Sequence, residues 1–141
     1  PSFDEPTPPT RRRRVLVPIR GVDPDVLAGL AETREIVAVT QADADWCAGQ
    51  GLASTMVRDP FRLLLLFAEC DEVVSFRLHA GIPAASVGAR VVLAAIDSRA
   101  QAGDAFGIPW GDYRLPLPEP AHALEPINPL PALRKVLHAA H

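Results

Sequence analysis

Five short runs, each four to six residues long and mostly apolar, punctuate this chain: Val15–Ile19, Ile36–Thr40, Thr55–Arg58, Val73–Phe76 and Val91–Ile96. Runs of that length, bounded by polar or turn residues, read as strands. Between them the apolar positions recur at helical spacing. Val26, Leu27, Leu30 and Ala31 follow Asp23-Pro24-Asp25, an N-cap with proline at the first helical position. Ala42–Gly49 is a short helix closed by glycine, and Asp59-Pro60 repeats the cap-and-proline start before the apolar helix Phe61–Cys70. Leu78–Val87, ended by Gly88, and a shorter helix over Arg99–Phe106 complete the alternation. Trp110–Glu125 reads as irregular and proline-rich, and Asn128-Pro129 opens a last helix to about Ala139. Pro18 falls near the end of the first strand, and inside a central strand it would remove a ladder bond.

Strands alternating with helices predict an α/β fold, a parallel sheet with helices on both faces. The strands are apolar on both sides, as strands covered on both faces are. The Rossmann-like order 3-2-1-4-5 makes the first and fourth strands neighbours at the point where the order reverses. Ligands of such sheets bind outside the carboxyl ends of the strands at that point. Arg20 ends the first strand, Arg77 and His79 follow the fourth, and Asp97 and Arg99 follow the fifth. The stretch Glu72–Gly81 thus becomes the centre of a rim, with a helix amino terminus opening behind it.

Composition narrows the partners. The chain has 141 residues, 48% of them hydrophobic and 22% charged, which suits one globular domain over residues 15–141. Residues 1–14 read as a disordered lead, with four prolines in the first nine positions. The net charge of −3 argues against nucleic acid or an anionic membrane as the main partner. The run Arg11–Arg14 alone suggests a nucleic-acid or acidic-lipid patch, but in an acidic chain a solvated run leading into a strand is preferred. The longest apolar run, Leu63–Ala68, is too short to span a bilayer. Two cysteines, Cys47 and Cys70, form no disulfide framework and suit a reducing, cytoplasmic setting. A chain beginning at Pro1 reads as a processed product or a piece of a longer protein.

Arginines, one histidine and a helix amino terminus suit a small ligand carrying phosphate or carboxylate groups. Arg20, Arg77 and Arg99 supply planar, permanently charged forks. His79 can move a proton near neutral pH. Gly81 allows close backbone approach, and Pro83 lies in the first helical turn. Structural roles compete with each assignment. Arg20 can simply reach solvent, Arg77 can pair with Asp71, Glu72 or Asp97, and His79 can be a satisfied structural residue.

Ser75-Phe76-Arg77-Leu78-His79-Ala80-Gly81, then Gly88-Ala89-Arg90-Val91-Val92, Ile96-Asp97-Ser98-Arg99 and Phe106-Gly107-Ile108, resembles the carboxyl-terminal half of the polysaccharide pyruvyl transferase family. That family carries an S-x-R-L-H-A block, a G-x-P-V/I strand, a Y-D-x-K block and an F-x-x-L-G-L-like segment. Val15–Arg20 is also similar to the family's first strand of this half, which ends in arginine. The likeness covers roughly residues 15–110. Ile96 stands where the family has tyrosine, Arg99 where it has lysine, and Arg90 where it has proline.

The resemblance implies one Rossmann-like half of a two-domain, glycosyltransferase-B-like enzyme. It implies phosphoenolpyruvate as donor, a sugar or polysaccharide precursor as acceptor, and a pyruvyl ketal as product. Arg20, Arg77 and His79 map onto family residues associated with donor binding. On this reading His79 is catalytic, Arg20, Arg77, Asp97 and Arg99 bind substrate, and no cofactor or metal is called for. An amino-terminal domain would supply the other wall of the cleft. The chain alone is expected to turn over little, and self-association is an alternative use of its last helix. Two other readings are a non-catalytic binding domain with the same crevice and half of a nucleotide-sugar glycosyltransferase.

Other features carry less. His138 and His141 lie one helical turn apart with no acidic or cysteine partner nearby in sequence, so a frayed helix end is preferred to a metal site. Trp46, Trp110 and Tyr113 suit packing better than sugar stacking. No G-x-G-x-x-G and no P-loop sequence is present, which argues against dinucleotide or nucleoside-triphosphate binding.

Overall fold

A computed structural model of the chain describes residues 11–124 and 127. The proline-rich lead Pro1–Thr10 and the helix expected over Asn128–Ala139, with His138 and His141, lie outside the described residues. The strands are β1 (Arg13–Val17), β2 (Glu35–Ala38), β3 (Thr55–Met56), β4 (Cys70–Ser75), β5 (Arg90–Ala95) and β6 (Trp110–Asp112). The α-helices are α1 (Pro24–Leu30), α2 (Gln41–Gly49), α3 (Pro60–Ala68) and α4 (Leu78–Ser86); Ala31–Thr33 and Ser98–Phe106 are 3₁₀ helices. All strands pair in parallel in the order β3-β2-β1-β4-β5-β6. The predicted order 3-2-1-4-5 therefore holds, with a sixth strand added at the edge.

The sixth strand lies where irregular chain was expected. Its three residues, Trp-Gly-Asp, show no strand pattern of their own. They are recruited by β5, against which Leu93 faces Trp110 and Ala95 faces Asp112. Lower on the same edge Ala121 bridges Val91 in antiparallel fashion, so the proline-rich segment runs along the sheet edge. Prolines are tolerated there because one side of an edge strand needs no ladder bonds. Pro18 raises no conflict either, because β1 ends at Val17 and the proline lies just beyond it.

Helix starts follow the local chemistry. Asp23 and Asp59 accept from the amides of Asp25 and Phe61, each before a proline at the helix start. Thr40 caps α2 by accepting from Asp43 N at 3.1 Å. The strands bury alternate residues on opposite faces. Val15, Val17, Val73, Val91 and Leu93 pack with Leu63 and Phe67 of α3 and Ala80 and Ala84 of α4. Leu16, Ile36, Val74 and Val92 pack with Leu27 of α1, Cys47 of α2 and Tyr113. Gly81 lets α4 approach the sheet, since a Cβ there would run into Leu93 Cδ2. The close approach that Gly81 permits is therefore helix to sheet.

The arginine run leads into β1 largely at the surface, with Arg11, Arg12 and Arg14 exposed, but it is not a free basic patch. β1 begins within it, and Arg13 and Arg14 meet carboxylates at the amino ends of the strands. Arg13 pairs with Glu35 and, at 3.1 Å, with Glu69. Arg14 reaches Glu72 at 2.8 Å, and the same buried carboxylate takes Arg34 at 2.9 Å and Arg90 at 3.6 Å. Arg11 Nη2 donates to Val87 O at 2.6 Å, capping the end of α4. Both cysteines are free and buried; burial pushes the Cys70 thiol up to about 12. No helix among the described residues is long and apolar enough to cross a membrane.

Candidate anion crevice

The site begins with Ser75 at the carboxyl end of β4. Its hydroxyl accepts from Arg77 N at 3.1 Å and donates to Arg77 O at 2.7 Å. This small loop holds Arg77 extended, with φ −108° and ψ 118°, and α4 starts immediately after it. Ala80 N and Gly81 N both turn back to Arg77 O, at 3.1 and 3.0 Å. No side-chain hydrogen bond caps the start of α4, the end that carries the positive pole of the helix dipole.

At the end of β5, Asp97 accepts from Arg99 N at 2.9 Å and starts the 3₁₀ helix Ser98–Phe106. The Asp97 carboxylate also takes Arg99 Nε at 2.9 Å and Nη2 at 2.7 Å. That pair holds the Asp97 carboxyl below the usual carboxylate range and raises Arg99. Both residues are exposed, and each neutralises much of the other's charge.

Between these two junctions lies a crevice of about 100 Å³. Its apolar lining includes Ile19, Val39, Phe76, Leu93, Ala94 and Ile96; its polar lining is Ser75, Arg77, His79, Asp97 and Arg99. The volume holds several waters or one small anionic group and falls below that of ordinary ligand pockets, about 300–1,000 Å³. Four of the five residues predicted from sequence thus share one crevice: Arg77, His79, Asp97 and Arg99. Arg20 does not line it. Its neighbour Ile19 does, while the Arg20 side chain is exposed and its amide donates to Asp43 Oδ1 at 3.0 Å.

Asp43 is the residue that sequence reasoning missed. It is fully buried, and its Oδ2 accepts from Arg77 Nε at 2.6 Å. The structural partners expected for Arg77 were Asp71, Glu72 or Asp97. Asp71 is taken by Arg90, Glu72 by Arg14 and Arg34, and Asp97 by Arg99. One signal was available. Asp43 lies one turn before the buried Cys47, on the inward stripe of α2. A carboxylate on a buried stripe requires a cation or donor to meet it.

The aromatic residues serve packing and local bonds. Tyr113 is buried, its hydroxyl accepts from Asp23 N at 3.1 Å, and its ring meets Phe76 edge-on at 5.5 Å. Trp110 Nε1 donates to Asp104 at 2.9 Å. Among the described residues no cluster of histidine, cysteine and acidic side chains could hold a metal ion. Comparison of the chain with protein-family models, with curated proteins and with solved structures finds no match.

Proposed function

We propose that this domain binds the anionic end of phosphoenolpyruvate and serves as the donor half-site of a pyruvyl transferase-like enzyme. One observation carries the reading: Arg77 and His79 at the β4–α4 junction line the same crevice as Asp97 and Arg99 at the end of β5. These are the blocks on which the sequence resembles that family. Arg77 and the amino end of α4 take a phosphate or carboxylate oxygen. The apolar wall takes the methylene carbon. In the reaction two sugar hydroxyls add to the enol carbon, phosphate leaves, and the methylene carbon gains a proton. His79, exposed on the lining, carries a proton to that carbon or takes one from a hydroxyl. A volume of about 100 Å³ suits one end of the donor, which is why the reading is a half-site.

A second reading is a non-catalytic anion-binding domain. It is favoured by the charge balance, because Arg77 and Arg99 are each already paired with a carboxylate. Titration of the chain with phosphoenolpyruvate tests the first claim. Arg77→Ala should weaken binding about tenfold to a hundredfold, the worth of one charge-assisted bond of about 1.5–3 kcal/mol. Arg62→Ala, at a position 82% exposed on α3, should leave binding unchanged. Equal effects of the two substitutions would remove the site. Binding without phosphate release when a sugar acceptor is supplied would favour the second reading.

A further inference from the structure

A carboxylate with no solvent contact must have its charge met by donors, or it is expelled or neutralised. Asp43 is such a group, at 0% exposure. Each of its oxygens has one strong donor: Oδ1 takes the Arg20 amide at 3.0 Å, and Oδ2 takes Arg77 Nε at 2.6 Å. The carboxylate therefore joins three segments that are distant in sequence: the loop after β1, the first turn of α2, and the β4–α4 junction. The manner of the contact with Arg77 matters more than its strength. The bond is made at Nε. Among the described residues nothing accepts from Arg77 Nη1 or Nη2, although the side chain is only 19% exposed.

The neighbouring arginine behaves differently. Arg99 gives both Nε and Nη2 to Asp97, a residue two positions away, and its side chain is 77% exposed. Its fork is already used, and its geometry is free to change in solvent. Of the two arginines lining the crevice, only Arg77 combines a buried anchor with two unused terminal nitrogens.

We propose that Asp43 is a positioning residue for anion recognition. By holding Arg77 through Nε, it fixes the plane of the guanidinium and leaves Nη1 and Nη2 as a two-pronged grip for a planar carboxylate or a phosphate face in the crevice. The proposal rests on the anion-binding reading above. It adds that affinity depends on a residue that touches no ligand. A plain structural staple between α2 and β4 would need the charge pair but not the free fork.

The experiment measures affinity of the chain for phosphoenolpyruvate and for inorganic phosphate in wild type, Asp43→Asn, Arg77→Lys and the double variant. Thermal melting of each protein is recorded, and the Arg77 Nε–H resonance is followed by NMR. The Asp43→Asn variant keeps the shape and an acceptor for the Arg20 amide but loses the charge. The Arg77→Lys variant keeps the charge but spends its single ammonium on Asp43. Each single variant should lose about tenfold to a hundredfold in affinity, as removal of groups that orient ligating side chains does. The double variant should bind no worse than the weaker single. The Arg77 Nε–H signal should be slow to exchange in wild type, move on adding phosphoenolpyruvate, and broaden or vanish in Asp43→Asn. Wild-type affinity in Asp43→Asn, or losses that multiply in the double variant, would overturn the positioning role and leave the anion site standing. Failure of wild type to bind either anion would overturn the site itself. If Asp43→Asn does not melt cooperatively, Arg77→Lys decides: wild-type affinity there would show that charge alone, without the fork, does the binding.

Discussion

The two ends of the strands both collect arginines, and they use them differently. At the amino ends, Arg13, Arg14, Arg34 and Arg90 meet Glu35, Glu69, Asp71 and Glu72 across neighbouring strands. Helix carbonyls take up further donors there: Arg34 Nη1 caps the end of α1 at 3.1 Å, and Arg11 caps the end of α4. This is where parallel strands bring helix carboxyl termini, the negative ends of their dipoles, so cations are doubly suited to it. At the carboxyl ends the dipole is reversed. There α4 begins without a side-chain cap, and Arg77 Nη1 and Nη2 meet no acceptor among the described residues. One rim is saturated and contributes stability. At the other, Arg77 has two nitrogens that no described residue accepts from, while Arg99 is paired with Asp97. Residue type alone does not separate the arginines of the two rims; what separates them is how many of their donors the described fold already uses.

The largest expected effect would test that separation from the saturated side. Glu72→Ala leaves Arg34, whose side chain is 16% exposed, without its carboxylate. Denaturant unfolding should show a loss of about 3–5 kcal/mol, the range for removing one member of a buried ion pair. Affinity of the folded protein for phosphoenolpyruvate should not change; a change would mean that the two rims are coupled. Arg77→Ala is the opposite case, with its chief readout in affinity, as described above.

A smaller effect sharpens how the crevice gets its shape. Leu93 lines it and lies against the backbone of two glycines: a Cβ at Gly81 would strike its Cδ2, and one at Gly103 would come within 2.8 Å of its Cδ1. The leucine has little room to move either way. Gly81→Ala should therefore cost about 1–3 kcal/mol through overpacking. Adding Leu93→Ala should recover part of that loss by relieving the clash. Additive losses in that double-mutant cycle would show that α4 is held off the sheet by something else.

The smallest effect concerns pH at the saturated rim. Hydrogen bonding to Arg90 holds the Asp71 carboxyl below its ordinary value near 3.8. The unfolded chain takes up that proton at higher pH than the folded one. The pair's contribution is thus complete above the unfolded value and is lost as pH falls through the folded value. Asp71 is 45% exposed, so screening limits the contribution to about 1 kcal/mol or less. Stability curves of wild type and Asp71→Asn should differ near neutrality and converge in acid. A gap that persists in acid would assign the effect to packing.

Much of the fold was legible in the sequence because its signals are local. The caps Asp23 and Asp59 act within two residues, and proline stands at the starts of α1 and α3. The two-sided apolar runs point to a parallel sheet regardless of what packs on it. Boundaries moved by one to three residues, as at β1, which starts at Arg13, where its backbone pairs opposite Cys70 of β4. The candidate site was legible as far as strand order could carry it, which brought the ends of β4 and β5 together. Arg20 shows where that reach ended, since following a strand does not determine which way an exposed side chain turns.

The sequence by itself determined the kind of element at most positions and the parallel character of the sheet; with the order 3-2-1-4-5 assumed, it also set Arg77 and His79 on one rim with Asp97 and Arg99. Only the tertiary structure decided which carboxylate answers which arginine, and that Trp110–Asp112 joins the sheet. The reason is distance. Caps and periodicity act over a turn of chain, whereas an ion pair depends on separation in space, and Asp43 reaches Arg77 across 34 residues of sequence. A buried carboxylate takes the nearest donor that packing brings to it, and packing is a property of the whole fold.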